Sequence, residues 1–315
     1  METRSLGSLS VSVVGLGCNN FGLRLDQAGT DEVVAAALDT GINFFDTADV
    51  YGKTQSEELL GRALGAGRQR VVVATKFGIK LDEQRLGGAS PAYIRRAVED
   101  SLRRLGTDYI DLYQLHRPDV SVPLEDTLGA LDELVKVGKV REIGSSNFSV
   151  EQIREGDAKR KPAGARFVSV QNEYSLLERS IEGESLTEIG ARGLGLLPYF
   201  PLASGLLSGK YDKGRPLPAG SRLANPSFQF GDRFANERNF GIVEALTDFA
   251  RARGRSLLEL ALSWLRAKSE VASIIAGATS PAQVVANVAS SNWKLTEPEL
   301  TAIDALAPRQ AAKAA

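Results

Sequence analysis

Cysteine, histidine and methionine are almost missing from this 315-residue chain, which has one of each: Cys18, His116 and Met1. A lone cysteine excludes an intramolecular disulfide and fits a reducing compartment. One Cys and one His also exclude a zinc centre built on those ligands, and no metal is expected. Net charge is scarce as well: 38 Lys and Arg stand against 39 Asp and Glu, for a formal charge of -1. That balance removes the electrostatic case for a nucleic-acid or membrane-surface partner. The sharpest basic run, Lys159-Arg160-Lys161, reads as a solvated helix end. Long apolar runs are lacking too. The uncharged stretch from Gly193 to Gly209 is interrupted by Pro198 and Pro201 and diluted by Ser and Gly, which argues against a membrane helix. Met1-Glu2-Thr3-Arg4 has no apolar core behind a basic start, so no secretory leader is read. A soluble, cytoplasmic protein is expected.

What is present is periodic. Ile94, Ala97, Val98, Ser101, Leu102 and Leu105 form one stripe at helical spacing, opened by Ser90-Pro91 and closed by Gly106. Thr54-x-x-Glu57 reads as a capping box ahead of Leu59-Leu60 and Ala63-Leu64. Pro123 opens a helix carrying Leu124, Leu128, Leu131, Leu134 and Val135, closed by Gly138, and another starts near Pro281 with Val284, Val285 and Val288. Apolar runs of strand length lie between such helices: Val11–Gly17, Asn43–Asp46, Val71–Lys76, Tyr109–His116, Val140–Ser145, Phe167–Gln171, Leu194–Tyr199 and Val271–Gly277. Their ends fall 26 to 40 residues apart, except for a last interval of 78. One βα unit needs about 30 residues. Six intervals therefore hold one unit each, and the long one adds a loop near 210–235 and a helix near 237–253 before the usual helix near 256–268. Eight units without linker composition predict a single α/β domain over 1–315, a (β/α)8 TIM barrel. The rival doubly wound sheet lacks its fingerprint, because Gly15-Leu-Gly17 continues as Cys18-Asn19-Asn20.

Chemistry in a parallel barrel gathers where strands end. Asp46, Lys76 and His116 each end an apolar run, and Tyr51 follows Asp46 in the climbing loop. Strand side chains alternate faces, so Lys76 shares a face with Ala74 and Val72, and His116 with Gln114 and Leu112. Each residue alone has a bland role as a cap, a solvated cation or a packed ring. Four ionisable groups at one mouth make a coherent site. A phenol is a weak acid near pKa 10, an ammonium beside it favours phenolate, a carboxylate aims the ammonium, and an imidazole can orient a carbonyl oxygen. Together they suit carbonyl reduction.

Six stretches in order, from Gly41 to Pro281, carry a family resemblance: Gly41-Ile-Asn-Phe-Phe-Asp-Thr-Ala-Asp-Val-Tyr-Gly52, Ala74-Thr-Lys-Phe-Gly78, Asp108-Tyr-Ile-Asp-Leu-Tyr-Gln-Leu-His116, Val140-Arg-Glu-Ile-Gly-Ser-Ser-Asn147, Gln171-Asn-Glu-Tyr174 and Ala276-Gly-Ala-Thr-Ser-Pro281. The chain resembles the aldo-keto reductase superfamily from about Ser5 to about Ala305. The resemblance implies an N-terminal β-hairpin below the barrel and a catalytic tetrad of Asp46, Tyr51, Lys76 and His116. In that tetrad Tyr51 gives the proton and His116 orients a small-molecule carbonyl substrate. It implies an NADP(H) cofactor, with NAD(H) as the alternative. Ser146, Asn147 and Gln171 would hold the carboxamide and Tyr199 would stack on the nicotinamide. Pro201, Leu202, Ser204, Leu206, Ser208, Lys210 and Arg222 would follow the phosphates, and Gly277, Thr279, Gln283 and Asn287 would complete the site at a helix N-terminus. Thr279 and Gln283 are neutral where many relatives carry cations, and Ala286 stands where many have Glu. Arg222 is thus the expected 2′-phosphate partner. Phe21, Phe77 and the loop around Arg85 are expected on the substrate side, and the tail 307–315 is expected to be disordered. A second reading keeps the barrel and cofactor but makes the protein a slowly catalytic or non-catalytic cofactor-sensing subunit.

Overall fold

The computed structural model describes residues 1–80, 82, 87–225 and 231–309. Two short strands come first, β1 (Thr3–Leu6) and β2 (Leu9–Ser12), paired antiparallel about a turn where Gly7 takes φ 60°. Eight parallel strands follow: β3 (Val14–Gly17), β4 (Phe44–Asp46), β5 (Val72–Phe77), β6 (Ile110–Leu115), β7 (Val140–Ser146), β8 (Phe167–Gln171), β9 (Gly195–Leu196) and β10 (Ile274–Gly277). They pair in chain order, and β10 returns to lie beside β3. The remaining seam closes through Leu196, whose N–H donates to Glu270 O (2.7 Å) and whose carbonyl accepts from Ala272 N (2.8 Å). This is the (β/α)8 barrel.

Helices fill the outside: α1 (Gln27–Asp39), α2 (Gln55–Leu64), α3 (Pro91–Leu105), α4 (Leu124–Lys136), α5 (Val150–Ala158), α6 (Glu184–Ala191), α7 (Gly231–Phe234), α8 (Glu237–Arg251), α9 (Leu257–Arg266), α10 (Pro281–Ala289) and α11 (Glu297–Leu306). The stripe read for α3 is its buried face, with Ser90 capping one end and Gly106, at φ 62°, the other. Among the described residues no helix is long and apolar enough to cross a membrane.

Two apolar layers result from strand alternation. Outward residues such as Phe45, Val73, Tyr113 and Ile143 pack beneath the helices. Inward Phe44, Val72, Ala74 and Leu112 fill the barrel and meet Leu6, Leu9 and Val11 from the β1–β2 hairpin, which plugs the lower end. One step further along the inward rows, at the upper end, come Asp46, Lys76 and Gln114. The same pleat that buries the apolar residues thus aims these polar ones at the mouth.

Four readings need correction. Val11–Gly17 is not one strand: it turns at Val13, where Ser12 Oγ donates to Val14 O (2.8 Å) and Ser12 N–H donates to Asn43 Oδ1 (2.6 Å). Apolar alternation alone does not register such a corner. The run Leu194–Tyr199 shrinks to two ladder residues, since Pro198 has no N–H to offer. Thr54 makes no cap bond and sits at φ 83°. Glu57 turns inward instead, accepting from Thr75 Oγ1 and Arg104 Nε, each at 2.6 Å. Helix α11 stands where none was read, although Thr296 and Glu299 form a true capping box. At the C-terminal end Ala307 is buried and its carbonyl accepts from Arg179 Nη1 (2.7 Å). Residues 310–315 of the expected tail lie outside the described residues.

Candidate active site

The upper mouth opens into a pocket of about 890 Å³, whose wall includes Asp46, Tyr51 and His116. Lys76 lies directly behind them and is fully buried at the end of β5. Its ammonium donates to Asp46 Oδ2 (2.7 Å), to Thr47 O (2.7 Å) and to Tyr51 Oη (3.4 Å). The second Asp46 oxygen accepts from Gln171 Nε2 (2.9 Å) and Gln114 Nε2 (3.3 Å). Asp46 is thereby locked, and it locks the ammonium against the phenol. Tyr51 heads a 3-10 turn, Tyr51–Thr54, in which Gly52 and Lys53 take φ 57° and 55°. A Cβ on Gly52 would meet Phe21 O at 2.4 Å, so only glycine lets the turn close this tightly. The Tyr51 and His116 rings meet edge to face at 5.8 Å. The four residues read from strand ends and the β4 loop are one constellation.

Electrostatics refine that reading. Burial raises the Tyr51 phenol above its ordinary value, and the neighbouring Lys76 offsets this only in part. Burial works against the Lys76 ammonium, yet Asp46 and Tyr51 outweigh it and hold the group above its usual range. His116 is driven well below its ordinary value, first by burial and then by Lys76 and Arg117. It is therefore a neutral imidazole near pH 7, and its Nδ1 is buried without a partner among the described residues. Beside the turn, burial and the Glu57 carboxylate raise Asp49 to about 7, while Arg104 and Lys76 oppose them. Asp49 Oδ1 is buried with no partner among the described residues, and the Asp49 N–H donates to Lys76 O (3.1 Å).

The residues expected to hold a cofactor are brought to the same pocket with one exception. Ser146, Asn147, Gln171, Tyr199, Pro201, Leu202, Ser204, Ser208, Lys210, Arg222, Gly277, Thr279, Gln283 and Asn287 all line it. Leu206 does not: its side chain is fully buried in the outer apolar layer. Asn147 sits at φ 60°, a conformation Asn tolerates; its amide donates to His116 O (3.0 Å) and its Oδ1 accepts from Tyr199 Oη (2.8 Å). Ser204 Oγ is buried without a partner among the described residues, in a 3-10 segment where Ala203 and Ser204 have positive φ. Arg222 Nη2 donates to Asn20 Oδ1 (2.8 Å), and burial, with Arg24 nearby, lowers the Arg222 guanidinium from its usual range. Thr279 N–H donates to Gln283 Oε1 (2.8 Å) at the start of α10.

The expected substrate wall is corrected. Phe21 is fully buried in the outer layer, and Phe77 points outward and stacks on Tyr113 at 4.7 Å. Arg85 lies outside the described residues. Arg117, Glu173, Arg233, Asn20 and Arg24 line the pocket but were not read from the sequence. Arg117 was the most accessible of these, since it directly follows the strand-end His116.

A sequence profile of the Aldo/keto reductase family matches residues 13–308. The chain belongs to the aldo-keto reductase family. It is 37% identical to a probable aldo-keto reductase 1 of Glycine max over 93% of this chain and 84% of that one. It is also 36% identical to a probable voltage-gated potassium channel subunit beta of Oryza sativa subsp. japonica, over 91% of this chain and 90% of that one. Among solved structures it resembles the aldo-keto reductase AKR11C1 from Bacillus halodurans in its holo form, with a TM-score of 0.82 and 35% identity. That match covers 98% of this chain and 97% of the other.

Proposed function

We propose that this aldo-keto reductase family member is an NADP(H)-dependent enzyme that reduces aldehydes or ketones to alcohols. The observation carrying this reading is the Asp46–Lys76–Tyr51 chain of contacts beside a neutral His116 at the floor of one pocket. Among the described residues Tyr51 is the phenol that the buried ammonium reaches, and it is the proton donor to the carbonyl oxygen. Lys76, aimed by Asp46, stabilises the charge that develops on the phenol oxygen as the proton leaves. His116 donates a hydrogen bond to the carbonyl oxygen and fixes its direction. This role needs the hydrogen on Nε2 and leaves Nδ1, buried without a partner among the described residues, as the bare nitrogen.

The pocket suits a nicotinamide dinucleotide, which when bound supplies the hydride for the carbonyl carbon. Asn147 and Gln171 offer both donor and acceptor, as a carboxamide needs, and Ser146 stands beside them. Tyr199 offers a ring face. The orphaned Ser204 hydroxyl and exposed Lys210 suit phosphate oxygens, with Pro201, Leu202 and Ser208 in the same segment. Gly277, Thr279, Gln283 and Asn287 surround the start of α10, where N–H groups favour anions. Two guanidiniums, Arg222 and Arg24, gather where they oppose each other's charge, an arrangement suited to an adenosine 2′-phosphate.

The relatives named as probable channel subunits support a second reading, a cofactor-sensing subunit with slow turnover. One experiment separates the two. Purified protein is mixed with NADPH and a panel of aldehydes and ketones, and loss of nicotinamide absorbance is followed alongside a pull-down for a stoichiometric partner. Multiple turnovers without a partner support the enzyme. A bound cofactor that is consumed at most once, with a stoichiometric partner recovered, overturns it.

A further inference from the structure

Among the described residues five cations line the pocket, Arg24, Arg117, Lys210, Arg222 and Arg233, against two carboxylates, Asp46 and Glu173. Asp46 is occupied by Lys76, Gln114 and Gln171. Glu173 is occupied by Arg233, which also lies 3.5 Å from Glu178. On the loop side Arg24 donates to Gly220 O (2.9 Å) and Arg222 to Asn20, while Lys210 lies 5.1 Å from the Tyr211 ring centre.

Arg117 differs from these four. It is exposed, and among the described residues no hydrogen bond, ion pair or aromatic ring holds its guanidinium. Its backbone is nevertheless fixed. The preceding His116 donates its N–H to Phe77 O (2.9 Å) and accepts at its carbonyl from Asn147 Nδ2 (3.0 Å). Pro118 follows and restricts Arg117 to extended conformations. The carboxylate nearest along the chain, Asp119, is taken by Ala89 N and by both donors of Ser121. The charge of Arg117 acts on His116 and on Tyr199, both of which line the pocket. A rigid backbone thus presents an uncommitted guanidinium beside the group that would orient the carbonyl.

We propose that Arg117 is a specificity-determining residue that docks a carboxylate on the substrate, so that the protein prefers carbonyl compounds bearing this anion to neutral ones. The inference rests on the reductase reading above. A guanidinium fork matches a carboxylate through two parallel hydrogen bonds. A phosphate dianion fits less well. The other cation that acts on Tyr199, Arg233, already faces Glu173 and Glu178, which leaves one positive charge for two negative ones.

The test uses 3- and 4-carboxybenzaldehyde with their methyl esters, at saturating NADPH so that the phosphate-binding cations are occupied. Wild type should favour at least one acid over its ester in kcat/KM. In Arg117→Gln the acid-to-ester ratio should fall about tenfold, the low end for a charge-assisted contact because the group is exposed. The fall should appear in KM, and Arg117→Lys should recover part of it. A ratio unchanged by Arg117→Gln, or lost through kcat alone, overturns the docking role while leaving ester reduction, and with it the reductase reading, intact. If no aldehyde is turned over, the reductase reading fails and calorimetric binding of the two acids decides the docking role. Weaker binding to Arg117→Gln than to wild type supports it, and equal binding overturns it.

Discussion

Replacing Asp49 by Asn should stabilise the protein in alkaline solution and leave it nearly unchanged in acid. Asp49 is buried with one oxygen unpartnered, and the Glu57 carboxylate that helps raise it is itself held by Thr75 and Arg104. Its carboxyl stands at about 7 in the folded protein against an ordinary 3.8. Below pH 3.8 both folded and unfolded chains hold the proton, and the group's contribution to stability is complete. Between 3.8 and about 7 the unfolded chain ionises first, so folding takes up a proton and stability falls as pH rises. Above 7 the loss is complete, and a displacement of this size corresponds to roughly 4 kcal/mol. Asn cannot ionise. Urea denaturation of wild type and Asp49→Asn at pH 4, 6 and 9 should therefore show a gap near zero in acid that widens to a few kcal/mol in favour of Asn by pH 9. A gap that does not change with pH, or a less stable variant at pH 9, would refute the reasoning.

Three further outcomes follow from the same contacts. Lys76→Met leaves the Asp46 carboxylate buried without its cation, which should cost about 3–5 kcal/mol by denaturant titration, with part recovered in Asp46→Asn/Lys76→Met; in kinetics the apparent pKa of the acid should move up, and an unchanged pH–rate profile would uncouple Lys76 from Tyr51. The single histidine makes its imidazole resonance unambiguous, and His116 should stay neutral well below pH 6.5, because burial, Lys76 and Arg117 all oppose its charge; a midpoint near 6.5 would contradict this. Arg222→Ala should weaken NADPH roughly tenfold to a hundredfold, the worth of one charge-assisted contact, and barely change NADH; equal weakening of both would remove Arg222 as the 2′-phosphate partner.

The barrel was legible because its strands end at near-regular intervals and its helices carry clean apolar stripes. The four residues at the mouth were legible because each interrupts an apolar run at its end or follows one closely. Local backbone geometry was less accessible. The corner at Val13 is made by a serine side chain, and the shortening of β9 comes from Pro198 inside an apolar run. Thr54 and Glu57 have the spacing of a capping box, but a left-handed Thr54 releases Glu57 to a buried ion pair with Arg104, a partner on another helix that spacing cannot reveal. Phe77 was within reach of strand parity, which puts it on the face opposite Lys76 and so in the helix layer, where Phe21 is buried as well. Leu206 shares a segment with Ser204 and Ser208 but points away from the pocket that they line. Arg24, Arg117 and Arg233 were not read as site residues, and only the fold gathers them around one pocket.

The central claim is that Tyr51 delivers the proton, and Tyr51→Phe tests it most directly because only the phenolic oxygen and its proton are removed. The measurement is single-turnover oxidation of NADPH at saturating aldehyde, with cofactor affinity determined in parallel by fluorescence titration. NADPH affinity should be unchanged and the rate lower by about 10²–10⁴, the usual worth of a positioned general acid. Turnover as fast as wild type with cofactor normally bound would contradict it.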